Sequence, residues 1–235
     1  MLRLAIIILM LCALPLRADE ALVAVSTNFQ KPAKVLAKAF EDKSGHEITL
    51  ASGSTGQHYA QIIHGAPYDV FLAADTERPA LLVAAGLAET SVSYAMGRLV
   101  FYSSQPDPNL DWIEALESAD RIAIANPDLA PYGRAARDVL EGLGTWDETR
   151  TVQGQNVGQA FALIASGNVE GGLVAASQVQ GREASLVPSK LHAPIRQGAV
   201  LLTRAKGNLA AEEFLAYLTS DAALAVIEEF GYDRP

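Results

Sequence analysis

A single cysteine, Cys12, occurs in 235 residues, and it falls inside an apolar leader. A chain that sheds this leader keeps no thiol, so a disulfide framework and a cysteine metal site are both excluded. The histidines His46, His58, His64 and His192 show no metal-ligand spacing with carboxylates, which argues against a transition-metal cation. Positive charge is scarce as well: 18 Lys and Arg stand against 27 Asp and Glu, a formal net charge of −9. Such an acidic balance argues against nucleic acid and anionic membrane surfaces as partners. The 18 glycines and 11 prolines are scattered, with no low-complexity linker and no fixed-period repeat. Residues 52–56 (SGSTG) are neither a nucleophile elbow nor a phosphate-binding P-loop, because the glycine offsets are wrong and no Gly-Lys-Ser/Thr follows.

What is present begins with that leader. Arg3 supplies a basic start, residues 4–14 form an apolar run, and Ala18 offers a small residue before Asp19 and Glu20. The run is shorter than the ~20 residues of a spanning helix, so it reads as a secretory signal peptide over residues 1–18 rather than an anchor. Leu11, before Cys12, is too large for a lipid attachment site. Cleavage removes Arg3 and Arg17 and takes the formal charge from −9 to −11. An exported chain without disulfides suits a bacterial periplasm.

Beyond the leader, short apolar runs alternate with amphipathic stretches. Strands are predicted at 21–26, 48–51, 70–73, 99–103, 121–125, 172–176 and 199–202. Helices are predicted at 32–43, 55–64, 79–85, 112–118, 133–143, 156–166, 209–219 and 222–230. Strand–helix alternation predicts parallel sheets covered on both faces. Two successive rounds predict two α/β lobes: residues 19–98 with 200–235 returning to them, and residues 99–199. Ligands of such sheets sit beyond the carboxyl ends of the strands. Trp112 and Trp146 occupy apolar helix-type positions and are assigned to the core. Asp69 and Asp75 bracket the 70–73 strand in surface, capping or hinge roles.

Four strand-exit or helix-entry loops carry the candidate chemistry. They are Ser26-Thr27-Asn28, Ser52-Gly53-Ser54-Thr55-Gly56, the stretch from Asn126 to Gly133, and Gln155-Asn156-Val157-Gly158. Between them they offer hydroxyls, amides and backbone N–H groups, and none contains Lys, Arg or His. Each alone is an ordinary cap or turn. Several converging would hold an oxyanion on free helix-start N–H groups and helix dipoles, without any cationic side chain.

At these residues the chain resembles the periplasmic molybdate-binding proteins of ABC importers. The stretches are VSTNF at 25–29, ASGSTG at 51–56, QIIHGAPYDVFLAAD at 61–75, ANPDLAPYG at 125–133, NVGQA at 156–160 and SGNVEGGLVA at 166–175. The resemblance implies a two-lobed α/β fold of the type II periplasmic binding protein kind, with a ligand cleft between the lobes. It implies ligation by Thr27, Asn28, Ser54 and Thr55 from one lobe and by Tyr132 and the Val157 N–H from the other. Ala175 stands where some members carry a ligand tyrosine, and Thr55 where serine is common. It further implies a monomeric carrier of molybdate or tungstate, with no cofactor and no reaction, that meets an ABC permease at the inner membrane.

The donor character of the loops bears on the choice of anion. A fully ionised tetrahedral dianion only accepts hydrogen bonds, whereas protonated phosphate also needs an acceptor. Donor loops therefore favour molybdate, tungstate or sulfate. Without cations in the loops, affinity is expected to vary little with salt. Two alternatives stay open: a binding protein for sulfate or another anion, and a periplasmic hydrolase using Ser52 or Ser54 with a base such as His58.

Overall fold

The computed structural model describes residues 19–235, so the leader predicted at 1–18 lies outside the described residues. The chain opens with strand β1 (Glu20–Ser26), helix α1 (Gln30–Ser44), β2 (Glu47–Gly53), α2 (Thr55–Ile63), β3 (Val70–Ala73) and α3 (Glu77–Ala84). It continues through β4 (Ala88–Gly97), β5 (Leu99–Ser103), α4 (Trp112–Ser118), β6 (Ile122–Ala125), α5 (Pro131–Gly142), β7 (Thr151–Gly154) and α6 (Val157–Ala165). It closes with β8 (Gly171–Ala175), β9 (Ser185–Leu186), β10 (Ile195–Leu202), α7 (Leu209–Tyr217) and α8 (Asp221–Glu229).

Local sequence explains these elements. In α1, Ala33, Leu36, Ala37 and Phe40 recur at helical spacing and are buried, and Gly45 ends the helix in the left-handed conformation at φ 75°. Ser26 starts a short 3-10 turn over Thr27–Phe29 that runs straight into α1, so helical structure begins well before Pro32. Pro131 opens α5, where its missing N–H costs nothing. That start, two residues ahead of the predicted 133, brings Tyr132 into the first turn.

The strands form two sheets, ordered β2-β1-β3-β10-β4 and β7-β6-β8-β5-β9. Both are mixed, which corrects the expectation of parallel sheets. β1 is parallel to β2 and β3, and β6 to β7 and β8. β10 is antiparallel to β3 and β4, and β5 to β8 and β9. The antiparallel pairings involve the strands that carry the chain between the sheets: β4 passes to β5, in the other sheet, through Arg98 alone. β10 returns from the second sheet and begins at Ile195, four residues before the predicted start at 199.

β4, β7 and β9 escaped the sequence pattern. All are edge strands, and their open edges leave them half polar. Apolar side chains pack against both faces of the first sheet and around the second. Trp112 and Trp146 pack onto the second core while staying partly exposed. Asp69 accepts the Leu22 N–H at 2.8 Å and pairs with Arg204. The layout places the ends of β1, β2, β6 and β7 in register, Ser26 beside Gly53 and Ala125 beside Gly154.

Candidate anion-binding site

The four strand-exit loops meet. Thr27, Asn28, Ser54, Thr55, Tyr132 and Val157 line one small cavity, together with Ser26, Gly53, Ala74, Ala130, Pro131 and Asn156. The space open to the centre of a water molecule is about 10 Å³, about what one water molecule needs. No charged side chain lines it.

Each loop contributes in its own way. The Ser26 and Thr55 hydroxyl oxygens are 2.7 Å apart, and the Ala74 N–H donates to Thr55 Oγ1 at 3.2 Å. One hydroxyl proton serves the bond between the two oxygens, and the other is free for the cavity. Ser54 caps α2 reciprocally: its Oγ accepts the Gln57 N–H and Gln57 Oε1 accepts the Ser54 N–H, both at 3.2 Å. This use of the serine oxygen leaves the Ser54 proton available. Asn28 Nδ2 donates to Gln197 Oε1 at 2.8 Å and to the Tyr232 hydroxyl at 3.0 Å. Both side-chain donors are thereby spent, so Asn28 offers the cavity its backbone N–H. Asn156 caps α6 by accepting the Gln159 N–H at 3.0 Å. Among the described residues nothing accepts from the Val157 N–H at the first helical position. Thr27 faces this start, since a Cβ on Gly158 would lie 3.5 Å from its own Cβ.

Tyr132 is held by shape. A Cβ on Gly133 would meet Ala125 O at 2.3 Å, so glycine lets α5 lie against the end of β6. A Cβ on Gly97 would fall 2.2 Å from the Tyr132 hydroxyl, so glycine there leaves the hydroxyl its room. Burial, followed by the neighbouring Tyr232 and Tyr94 phenols, raises the Tyr132 pKa well above the ordinary tyrosine range. The phenol stays protonated and remains a donor.

The helix starts of α2, α5 and α6, with the 3-10 turn before α1, bring their positive dipole ends to this cavity. The loops also touch across the cleft. The Gly56 N–H donates to Leu129 O at 2.8 Å, and Gln57 Nε2 to Gln155 Oε1 at 3.3 Å. An ionic cluster spans the rim: Arg134 on α5 reaches Glu77 at 2.8 Å and Asp75 at 3.2 Å. Arg78 pairs with the same Asp75 and donates to Asp128 O at 3.0 Å. Cations are thus absent from the loops but present at the rim, compensated by carboxylates. That qualifies the salt-independence expected from the loops alone.

The sequence did not single out Ser26 as a ligand candidate, nor the buried partners Gln197, Tyr94 and Tyr232. Gln197 and Tyr232 lie far along the chain in β10 and the C-terminal tail. Their one signal is a glutamine in the apolar run of residues 195–202, where a buried amide needs partners. Ala175 ends β8, fully buried, and does not line the cavity. The Ser–His pair a hydrolase needs is absent among the described residues: His58 Nδ1 faces Gln61 at 3.2 Å and its Nε2 has no hydrogen-bond partner. Burial lowers the His58 pKa against weaker opposing hydrogen bonds. No cluster of three or more metal-ligating side chains occurs among the described residues.

Two sheets with helix starts and uncharged donors converging between them define a two-lobed solute-binding protein with an anion-type site. Comparison with known proteins agrees. The family model for bacterial extracellular solute-binding proteins matches residues 21–233, and the chain belongs to that family. It is 41% identical over 236 residues to the molybdate-binding protein ModA of Rhodobacter capsulatus, covering 97% of this chain and 94% of that one. To the ModA of Azotobacter vinelandii it is 41% identical over 234 residues, covering 94% and 93%. The solved structure of the periplasmic molybdate-binding protein of A. vinelandii superposes with a TM-score of 0.87 at 35% identity, covering 92% of this chain and 99% of that one.

Proposed function

We propose that this protein captures molybdate, and tungstate as an ion of nearly equal size, in the periplasm and hands it to an ABC permease. The observation that carries the reading is the convergence of Thr27, Asn28, Ser54, Thr55, Tyr132 and Val157 on one cavity free of charged side chains. The relatives at 41% identity are molybdate-binding proteins, which supports the same anion here. The two lobes are the units built on the two sheets, residues 19–98 with about 195–235, and 99–194 between them. Ser26, Thr27, Asn28, Ser54 and Thr55 bind from the first, Tyr132 and the Val157 N–H from the second. The anion favours the closed form because only closure supplies donors from both lobes. The carrier works as a monomer, exported by the cleaved leader, and performs no reaction.

Selectivity follows from donor chemistry. The cavity offers N–H and O–H groups, which satisfy a fully ionised dianion and leave the O–H of protonated phosphate unpaired. Molybdate and tungstate are nearly equal in size and larger than sulfate, the difference left for rejecting sulfate. Thermal unfolding of the purified protein tests this. Molybdate and tungstate at about 100-fold their Kd should stabilise it by about 2.7 kcal/mol, with little effect from phosphate. An equal shift with phosphate contradicts the proposal.

A further inference from the structure

We propose that Gln197 is the positioning residue that commits the Tyr132 hydroxyl proton to the bound anion. The inference rests on the anion-binding reading above and assigns a role to a residue outside the ligand shell. Gln197 is fully buried on β10 opposite a bulge in β4: Gln197 pairs with Ala95 and Gly198 with Ser93, so Tyr94 is the extra residue. Such bulges re-aim a side chain, here that of Tyr94. Gln197 Oε1 accepts from Asn28 Nδ2 at 2.8 Å and from the Tyr94 hydroxyl at 3.2 Å, and its Nε2 approaches the Tyr132 hydroxyl at 3.5 Å.

The direction of every hydrogen bond in this network is set from one end. The Asn28 backbone carbonyl can only accept, and it takes Ser177 Oγ at 2.7 Å and the Tyr232 hydroxyl at 2.8 Å. Tyr232 can also turn its proton to Ser177 Oγ at 3.1 Å. In both cases that proton is spent, so the Tyr232 oxygen accepts and the Asn28 amide must present nitrogen to it at 3.0 Å. The same nitrogen donates its second hydrogen to Gln197, which fixes the oxygen end of that amide. The nitrogen end then faces Tyr132, whose oxygen can only accept from it. The remaining Tyr132 proton is then available to the cavity, with the neighbouring Tyr232 phenol as its competing acceptor until the anion binds. A flipped Gln197 would capture that proton and turn Tyr132 from donor to acceptor toward the anion. The order thus runs from a carbonyl of the first loop through strand β10 to the hydroxyl contributed by α5. Gly97 completes the seat, since a Cβ there would meet the Tyr132 hydroxyl at 2.2 Å and Gln197 Nε2 at 2.9 Å.

A double-mutant cycle tests this by calorimetric titration with sodium molybdate. Gln197→Met keeps the length and removes donor and acceptor. It should weaken binding about tenfold in the otherwise native protein and less than about twofold in a Tyr132→Phe background. A merely structural role would cost the same in both backgrounds, and that result overturns the proposal, as does a Tyr132→Phe variant that binds like the native protein. Should Gln197→Met fail to fold, Gln197→Leu repeats the cycle. It should weaken binding when the hydroxyl is present and add little once Tyr132→Phe has removed it. Equal loss in both backgrounds overturns the proposal. Failure of the native protein to bind molybdate overturns the functional reading and this inference together. Native binding without coupling overturns this inference alone.

Discussion

Replacing Arg134 by glutamine removes the side chain that ties α5 to the opposite lobe, and the structure sets the size of the effect. Arg134 donates to Glu77 at 2.8 Å and to Asp75 at 3.2 Å. The Glu77 link joins side chains 44% and 61% exposed, so solvent screening reduces it to a few tenths of a kcal/mol. Asp75 is only 9% exposed and keeps Arg78 and the Arg78 N–H as partners, so that link is stronger and its loss leaves no orphaned carboxylate. Together they favour the closed form by about 1 kcal/mol. Where the ligand-free protein is mainly open, apparent affinity scales with the closed fraction, so Arg134→Gln weakens binding about fivefold. Stopped-flow measurement should assign the change to faster dissociation, with association nearly unchanged, because the latch forms only after the anion enters. Affinity of the native protein should fall slightly as sodium chloride is raised, and the variant should lose that dependence. An unchanged dissociation rate, or an affinity loss carried by association, refutes the latch.

Thr55→Ala should weaken molybdate binding by one to two decades, since a hydrogen bond to a charged ligand is worth roughly 1.5–3 kcal/mol, and titration calorimetry reads it directly. The same change leaves the buried Ala74 N–H without its acceptor, so the melting temperature should fall as well. His58→Ala should cost stability but far less affinity, because His58 backs the second loop without lining the cavity; an affinity loss equal to that of Thr55→Ala would misplace the site. The His58 pKa is lowered in the fold, so the unfolded chain binds more protons once pH drops below 6.5. Stability should decline from there toward the lowered value, and His58→Leu should flatten that acid limb in pH-dependent denaturation.

The readable part of the fold is what buries an apolar face. β3 matches its predicted span, and α1 and α2 lie within two residues of theirs at one end or the other, because Gly45 and Gly65 punctuate them. β4 and β7 went unread because edge strands need no continuous apolar run. The loops that converge on the cavity were legible through their hydroxyls, amides and glycines at strand ends. Three features were not. The direction of β10 depends on where the chain re-enters the sheet. The pairing of Arg134 with Asp75 depends on two lobes meeting. The seat of Tyr132 draws on Gly97 and Gln197, residues 35 and 65 positions away that only the fold brings together.

The central claim is that a cavity of uncharged N–H and O–H donors selects a fully ionised tetrahedral anion. Its most direct test is calorimetric titration of the purified protein at neutral pH with molybdate, tungstate, sulfate and phosphate. The account predicts tight, comparable binding of molybdate and tungstate, weaker sulfate and negligible phosphate. Phosphate binding as tight as molybdate would contradict it.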